Sequence, residues 1–212
     1  MKLINPYGIP QIDPVPDNVT DGITNWIRFS EVGAYKGDKS KTGVHFYEDD
    51  YRFERVWDYP DRYLVDLQGF KAVLSPDFSM YTNHPVAIQI HNHYRSHWVG
   101  AYWQENGITV IPSIGWVTPK SYEWCFDGVP LCSIASISSL GCGVNRETRN
   151  GFYDGCREFI ARCQPSKVLW FGELPYDGLA DYTTIIKCET QYTKRLADVR
   201  QTYKAKRSGE HE

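Results

Sequence analysis

The side chains best placed to do chemistry in this chain follow short apolar runs. Asp77 leads them: it stands in Ser75-Pro76-Asp77-Phe78-Ser79, directly after Ala72-Val73-Leu74. A carboxylate there can take a proton from a nucleophile, hold a divalent cation or orient a partner group. Capping the local turn with its own side chain is the plain structural alternative for an Asp after Pro. Glu173, following Lys167-Val168-Leu169-Trp170-Phe171-Gly172, is its candidate partner in a catalytic pair of carboxylates. Candidate ligand-binding residues are Ser79, Trp116, Ser136, Ser138, Ser139 and Gly141, which offer hydroxyls, a stacking wall and close-approach backbone. The run Ser138-Ser139-Leu140-Gly141-Cys142-Gly143 puts hydroxyls and backbone N–H groups between a strand and a helix, which suits an anion. It lacks the Lys-Ser/Thr ending of a nucleoside-triphosphate loop, and turn chemistry is its competitor.

The histidines and cysteines carry weaker signals. His91 and His93 flank Asn92, and a helix would point their rings apart. His93 and His97 would share one helix face, but no Glu follows in the zincin arrangement, so they are read as solvated or capping and no metal site is assigned. The 6 cysteines contain no Cys-x-x-Cys pair and read as reduced, mostly buried thiols. Cys142 would need a nearby His to act as a nucleophile, and the sequence supplies none.

Positioning those strand-end residues requires strands that all run one way. Apolar runs predict strands at 71–75, 108–112, 131–137, 167–171 and 182–186, alternating with helices at 85–106, 119–127, 146–163 and 189–207. The longest helix rests on Ile88, His91, Arg95, Trp98 and Tyr102 at spacings of three and four, stopped by Gly107. The runs are continuously apolar, as in parallel strands covered on both faces. The fold class is therefore α/β: short parallel strands alternating with helices in an open sheet or a partial, distorted barrel. Residues 1–45 read as an irregular N-terminal extension with a mobile basic loop, 46–188 as the α/β core domain, and 189–212 as a basic helix and tail. Residues 51–57 are a candidate edge element. In such sheets the loops after the strands converge, which makes their carboxyl ends the ligand site.

Of 212 residues, 42% are hydrophobic, enough for a sizeable core and against disorder over the whole length. The net charge of -3 argues against non-specific nucleic-acid binding by a coat of positive charge. A local patch remains in view: Lys194, Arg195, Arg200, Lys204, Lys206 and Arg207, interleaved with Tyr192 and Tyr203, form a candidate nucleic-acid surface. A solvated helix face is its alternative. No apolar run reaches membrane-helix length and no apolar signal core opens the chain, so no membrane partner and no export are expected.

Phe53-Glu54-Arg55-Val56-Trp57, Ser75-Pro76-Asp77-Phe78-Ser79, Tyr102-Trp103-Gln104 with Gly107, Val110-Ile111-Pro112 with Trp116, and the strand end 136–141 together resemble a bacterial and phage family catalogued as domain of unknown function 4417. The likeness spans about residues 45–175. It implies a phage or mobile-element setting in the cytoplasm of a bacterial host cell, and brings no activity, cofactor or catalytic residue. Two functional classes follow. In one, the protein binds or acts on a phosphate-bearing ligand, a nucleotide or nucleic acid, at the strand ends, with Asp77 as acid/base or as ligand to a divalent cation. In the other, it is a non-enzymatic binder of nucleic acid or of a host protein, with phage counter-defence included.

Overall fold

The computed structural model describes residues 1–142, 145–175 and 178–190. A short antiparallel hairpin, β1 (Leu3–Ile4) with β2 (Ile9–Pro10), opens the chain. Next come β3 (Asn25–Arg28) and β4 (Thr42–His45), then the single-turn helices α1 (Arg55–Asp58) and α2 (Leu64–Leu67). The rest alternates: β5 (Ala72–Leu74), α3 (Val86–Glu105), β6 (Val110–Ile111), β7 (Ser113–Ile114), β8 (Ile134–Ser138), α4 (Arg146–Cys163), β9 (Lys167–Phe171) and β10 (Thr184–Cys188).

The strands build two four-stranded sheets, ordered β3-β4-β5-β6 and β7-β8-β9-β10, and every pairing within them is parallel. The sheets meet at Pro112. Proline has no N–H for a ladder, and there the chain stops pairing with β5 through Val110–Ile111 and pairs with β8 through Ser113–Ile114. Ser113 still donates its hydroxyl to Ser75 O at 2.7 Å and its N–H to Ser75 Oγ at 2.9 Å, so the two sheets form one curled surface. A single parallel bridge, Trp26 to Thr190, spans the outer edges; no ladder closes a barrel among the described residues. The architecture is an open α/β sheet.

Three residue clusters fill the core: one around Phe46, Phe53 and Trp103, one around Phe159 and Trp170, and one between them around Leu74 and Phe171. The helix α4 buries Phe152, Cys156, Phe159 and Ile160, the face its spacing predicts, and Asn145 caps it by accepting from the Thr148 N–H. All six cysteines are free, and four of them are buried.

Several expectations need correction. The segment 1–45 is not irregular throughout, since β3 and β4 are full members of the parallel sheet. The supposed mobile loop is two 3-10 turns, Phe29–Ala34 and Lys39–Lys41, running into β4. Residues 51–57 are helical turns rather than a sheet edge, with Phe53 and Val56 in the core. Only 3-10 turn, Pro119–Glu123, forms where a helix was expected at 119–127. Helix α3 also turns a different face inward: Ile88 and His91 are exposed, while Gln89, Asn92, His93, Ser96 and Gly100 are buried. Polar groups can occupy that face because each has a partner: Gln89 donates to Tyr81 O and His84 O, Asn92 to Ser79 O, and Ser96 pairs with Ser75.

His93 and His97 are therefore buried, not solvated. Their rings lie 4.4 Å apart; His93 Nε2 bonds Asp127 O at 3.0 Å and His97 Nδ1 bonds Pro10 O at 3.1 Å. Burial drives both below the ordinary imidazole range, His93 to about 4, and the proximity of His93 adds to the drop at His97. An unfolded His takes a proton near pH 6.5 and the folded one does not, so this contribution is intact above about pH 6.5 and erodes as pH falls toward 4. His93→Gln keeps a donor in the Nε2 position and cannot titrate. Its stability relative to the parent should rise by about 3 kcal/mol between roughly pH 7 and pH 4, read by urea unfolding; a pH-independent difference would refute neutral burial.

Candidate functional site

Because the strands of the curled sheet run in one direction, their carboxyl ends meet on one rim. A cavity of about 570 Å³ opens there, within the size range of small-molecule sites. Its walls come from successive strand ends: Arg28 from β3, His45 from β4, Asp77 after β5, Trp116 after β7, Ser138 from β8 and Gly172 after β9. The corner at Pro76-Asp77-Phe78-Ser79 and the corner at Ser138-Ser139-Leu140 thus face one space.

Asp77 is the most perturbed acid in it. Withdrawal from water first, and the Asp50 carboxylate second, push its carboxyl up from 3.8 to about 7. No hydrogen bond from the described residues offsets this. The turn that carries it is tied down from outside: Asp50 accepts from the Ser79 N–H at 3.0 Å and the Ser79 hydroxyl at 2.7 Å, and Asn92 donates to Ser79 O at 2.6 Å. Arg95 in turn donates to Asn92 Oδ1, pairs with Glu54 and lies 3.9 Å over the Phe78 ring. Gly115 brings the end of β7 close, since a Cβ there would lie 4.0 Å from Asp77 Oδ1. A carboxyl near half-protonation at neutral pH can both give and accept a proton.

The expected hydroxyl cradle is only partly present. Ser138 lines the cavity, with its Oγ accepting from the Leu140 N–H at 3.2 Å. Ser136 is fully buried, bonded at 2.6 Å to the Tyr47 hydroxyl. Ser139 donates to Phe171 O at 3.2 Å and accepts from the Leu174 N–H at 3.3 Å, which ties two loops together. Gly141 and Glu173 are not among the lining residues, and Glu173 is exposed. Ser79 lines the wall with its hydroxyl committed to Asp50. Trp116 also lines it, stacked on Phe152 at 5.5 Å, its indole seated where Gly155 leaves out a side chain.

The pattern of apolar runs missed Tyr47, Arg28 and His45. Burial and the Asp77 charge push the Tyr47 phenol above its ordinary value, which keeps it a neutral hydroxyl beside Ser136 and Ser113. His45 is driven down to about 3 by burial and by Arg28. The run Thr42-Gly43-Val44-His45-Phe46-Tyr47, β-branched and aromatic, was the available strand signal. Cys142 lines the cavity too, but burial and the Asp77 charge push its thiol up to about 11, away from a reactive thiolate.

Among the described residues, no three His, Cys, Asp or Glu side chains gather as metal ligands. No helix among them is long and apolar enough to cross a membrane. The basic segment holding Lys194, Arg195, Arg200, Lys204, Lys206 and Arg207 lies outside the described residues.

A family model described as "Domain of unknown function (DUF4417)" matches residues 1–189. The chain is 38% identical over 191 residues to the "Gene 1 protein" of Mycobacterium phage L5, covering 89% of this chain and 81% of the relative. It is 37% identical over 196 residues to the "Gene 1 protein" of Mycobacterium phage D29, covering 91% and 70%. No solved structure matches.

Proposed function

The chain belongs to the DUF4417 family, and we propose that its rim cavity binds a phosphate-bearing ligand of nucleotide size and exchanges a proton with it through Asp77. The observation that carries this reading is the Asp77 carboxyl, placed on the wall of a cavity of about 570 Å³ without a hydrogen bond from the described residues; withdrawal from water pushes it up to about 7. A fold rarely leaves a carboxyl so unfavourably placed unless the group works. Arg28 and Arg52 on the same wall supply positive charge for an anionic group, and Trp116 supplies an aromatic surface. Below about pH 7 the neutral carboxyl donates a hydrogen bond; above it, the carboxylate accepts a proton and repels a neighbouring anion. The phage relatives suggest a setting inside an infected bacterial cell.

Nucleoside 5′-monophosphates are the probes, with binding read by calorimetry and by quenching of tryptophan emission. At least one should bind, and its affinity should rise about tenfold as pH falls through about 7, a dependence that Asp77→Asn removes. Absence of binding by every base would reject the nucleotide. A pH profile unchanged in Asp77→Asn would reject Asp77 as the proton-exchanging group.

A further inference from the structure

Arg28 and His45 are direct register partners at the carboxyl ends of the adjacent strands β3 and β4, and both line the cavity. His45 is 2% exposed and carries a buried Nε2 with no hydrogen-bond partner among the described residues. Its tautomer is fixed by a neighbour: Nδ1 accepts the Tyr47 N–H at 3.2 Å, so the proton of the neutral ring sits on Nε2. The packing of the ring against Phe171 at 5.3 Å holds that orientation. A buried N–H without an acceptor is costly in any fold, and a ligand oxygen would satisfy it. Arg28 is held from the other side: Glu31 accepts its backbone N–H at 3.0 Å and its Nη2 at 3.3 Å. The guanidinium has five N–H donors and no acceptor, so most of the fork remains for another oxygen.

The acids nearby do not fill this role. Glu48 accepts both the N–H and the hydroxyl of Ser30, and Asp49 lies 3.8 Å from Arg52. Hence, apart from the Glu31 carboxylate on one side of Arg28, this corner presents donors, while Asp77 lines the same space. We propose that the Arg28–His45 corner is the subsite for an anionic oxygen group, phosphate or carboxylate, of the bound ligand. The assignment rests on reading the rim cavity as a ligand site, and moves the anion from the serine cradle expected at 136–139 to a guanidinium and a neutral imidazole. Charge-assisted bonds from a planar fork are stronger than those of serine hydroxyls, which here are used inside the fold.

Inorganic phosphate and acetate, titrated separately into protein with ¹⁵N-labelled histidine, are the probes. The His45 Nε2 resonance should move saturably with at least one anion; phosphate alone assigns a phosphoryl group, acetate alone a carboxyl group, both the shared chemistry. Arg28→Gln and His45→Phe should each weaken that anion about tenfold or more. His45→Gln keeps a donor and should stay within about threefold, which leaves a readable variant if His45→Phe does not fold. A resonance unmoved by both anions, or folded variants that bind as the parent does, would overturn the assignment. Nucleotide binding that fails while the anion still binds counts against the proposed ligand alone; nucleotide binding indifferent to Arg28→Gln and His45→Phe counts against the corner alone.

Discussion

Asp77→Asn should raise the melting temperature by about 5–10 °C at alkaline pH, with almost no change near pH 4. The sign follows from the carboxyl being raised from 3.8 to about 7 in the fold. Below about pH 4 both folded and unfolded chains carry a neutral Asp77, and the isosteric amide alters little. Between about pH 4 and pH 7 the unfolded chain ionises the group freely while the folded chain resists, so stability drains away as pH rises. Above about pH 7 the full difference is felt, about 2–4 kcal/mol for a shift near three units. Asparagine removes it because it never ionises. Melting curves of the two proteins across pH should therefore diverge upward; parallel curves would mean that the carboxyl is ordinary.

The same substitution should abolish the pH dependence of ligand binding. A residue whose removal stabilises the fold and silences the site differs from a turn cap, whose removal would cost about 0.5–2 kcal/mol at every pH. This outcome would separate the two readings of Pro76-Asp77 that the sequence leaves open. The turn is in fact fastened by Asp50 and Asn92 through Ser79, which leaves the Asp77 carboxyl free of that duty.

What could be read in the sequence divides along the line between local and distant interactions. Helix α4 and strand β9 occupy the predicted ranges because their signals are local: apolar residues on one helix face and a short β-branched and aromatic run before Gly172. Asp77 was legible for the same reason, a carboxylate after a proline at the end of an apolar run. Strands β3 and β4 span only four residues each and are flanked by 3-10 turns, so their local signal is short, and the parallel ladder β3-β4-β5 is what fixes them as strands. Arg28 and His45 stayed hidden with them. The serines failed in the opposite direction: Ser136 lies in the middle of β8 and Ser139 just past its end, and their hydroxyls meet Tyr47, Phe171 and Leu174, partners that no spacing rule reveals.

Those distant interactions also predict where the fold is least tolerant. Gly128→Ala should lower stability by about 3–6 kcal/mol, a large part of the roughly 5–15 kcal/mol that holds a domain together. Gly128 has φ +79, a left-handed conformation that costs an L-residue about 1–2 kcal/mol. A Cβ there would sit 2.5 Å from Pro10 O, 2.6 Å from His97 Nδ1 and 3.0 Å from Ile9 Cγ2. The first of these is backbone, held in the β1–β2 hairpin, and cannot swing away as a side-chain tip would. Relieving the clash means parting Pro10 O from His97, which adds an unsatisfied buried donor worth about 1–3 kcal/mol to a ring whose Nε2 already lacks a partner among the described residues. It also strains the bond from the Ile12 N–H to Gly128 O at 3.0 Å, the next link between the N-terminal segment and the core. Gly151→Ala is the control: Gly151 lies within α4 with nothing within 4 Å of the added Cβ, and alanine there should stabilise by about 0.5–1 kcal/mol. Urea midpoints of the two variants should move in opposite directions. A Gly128→Ala protein as stable as the parent would show that the hairpin and α3 are not locked together at this point.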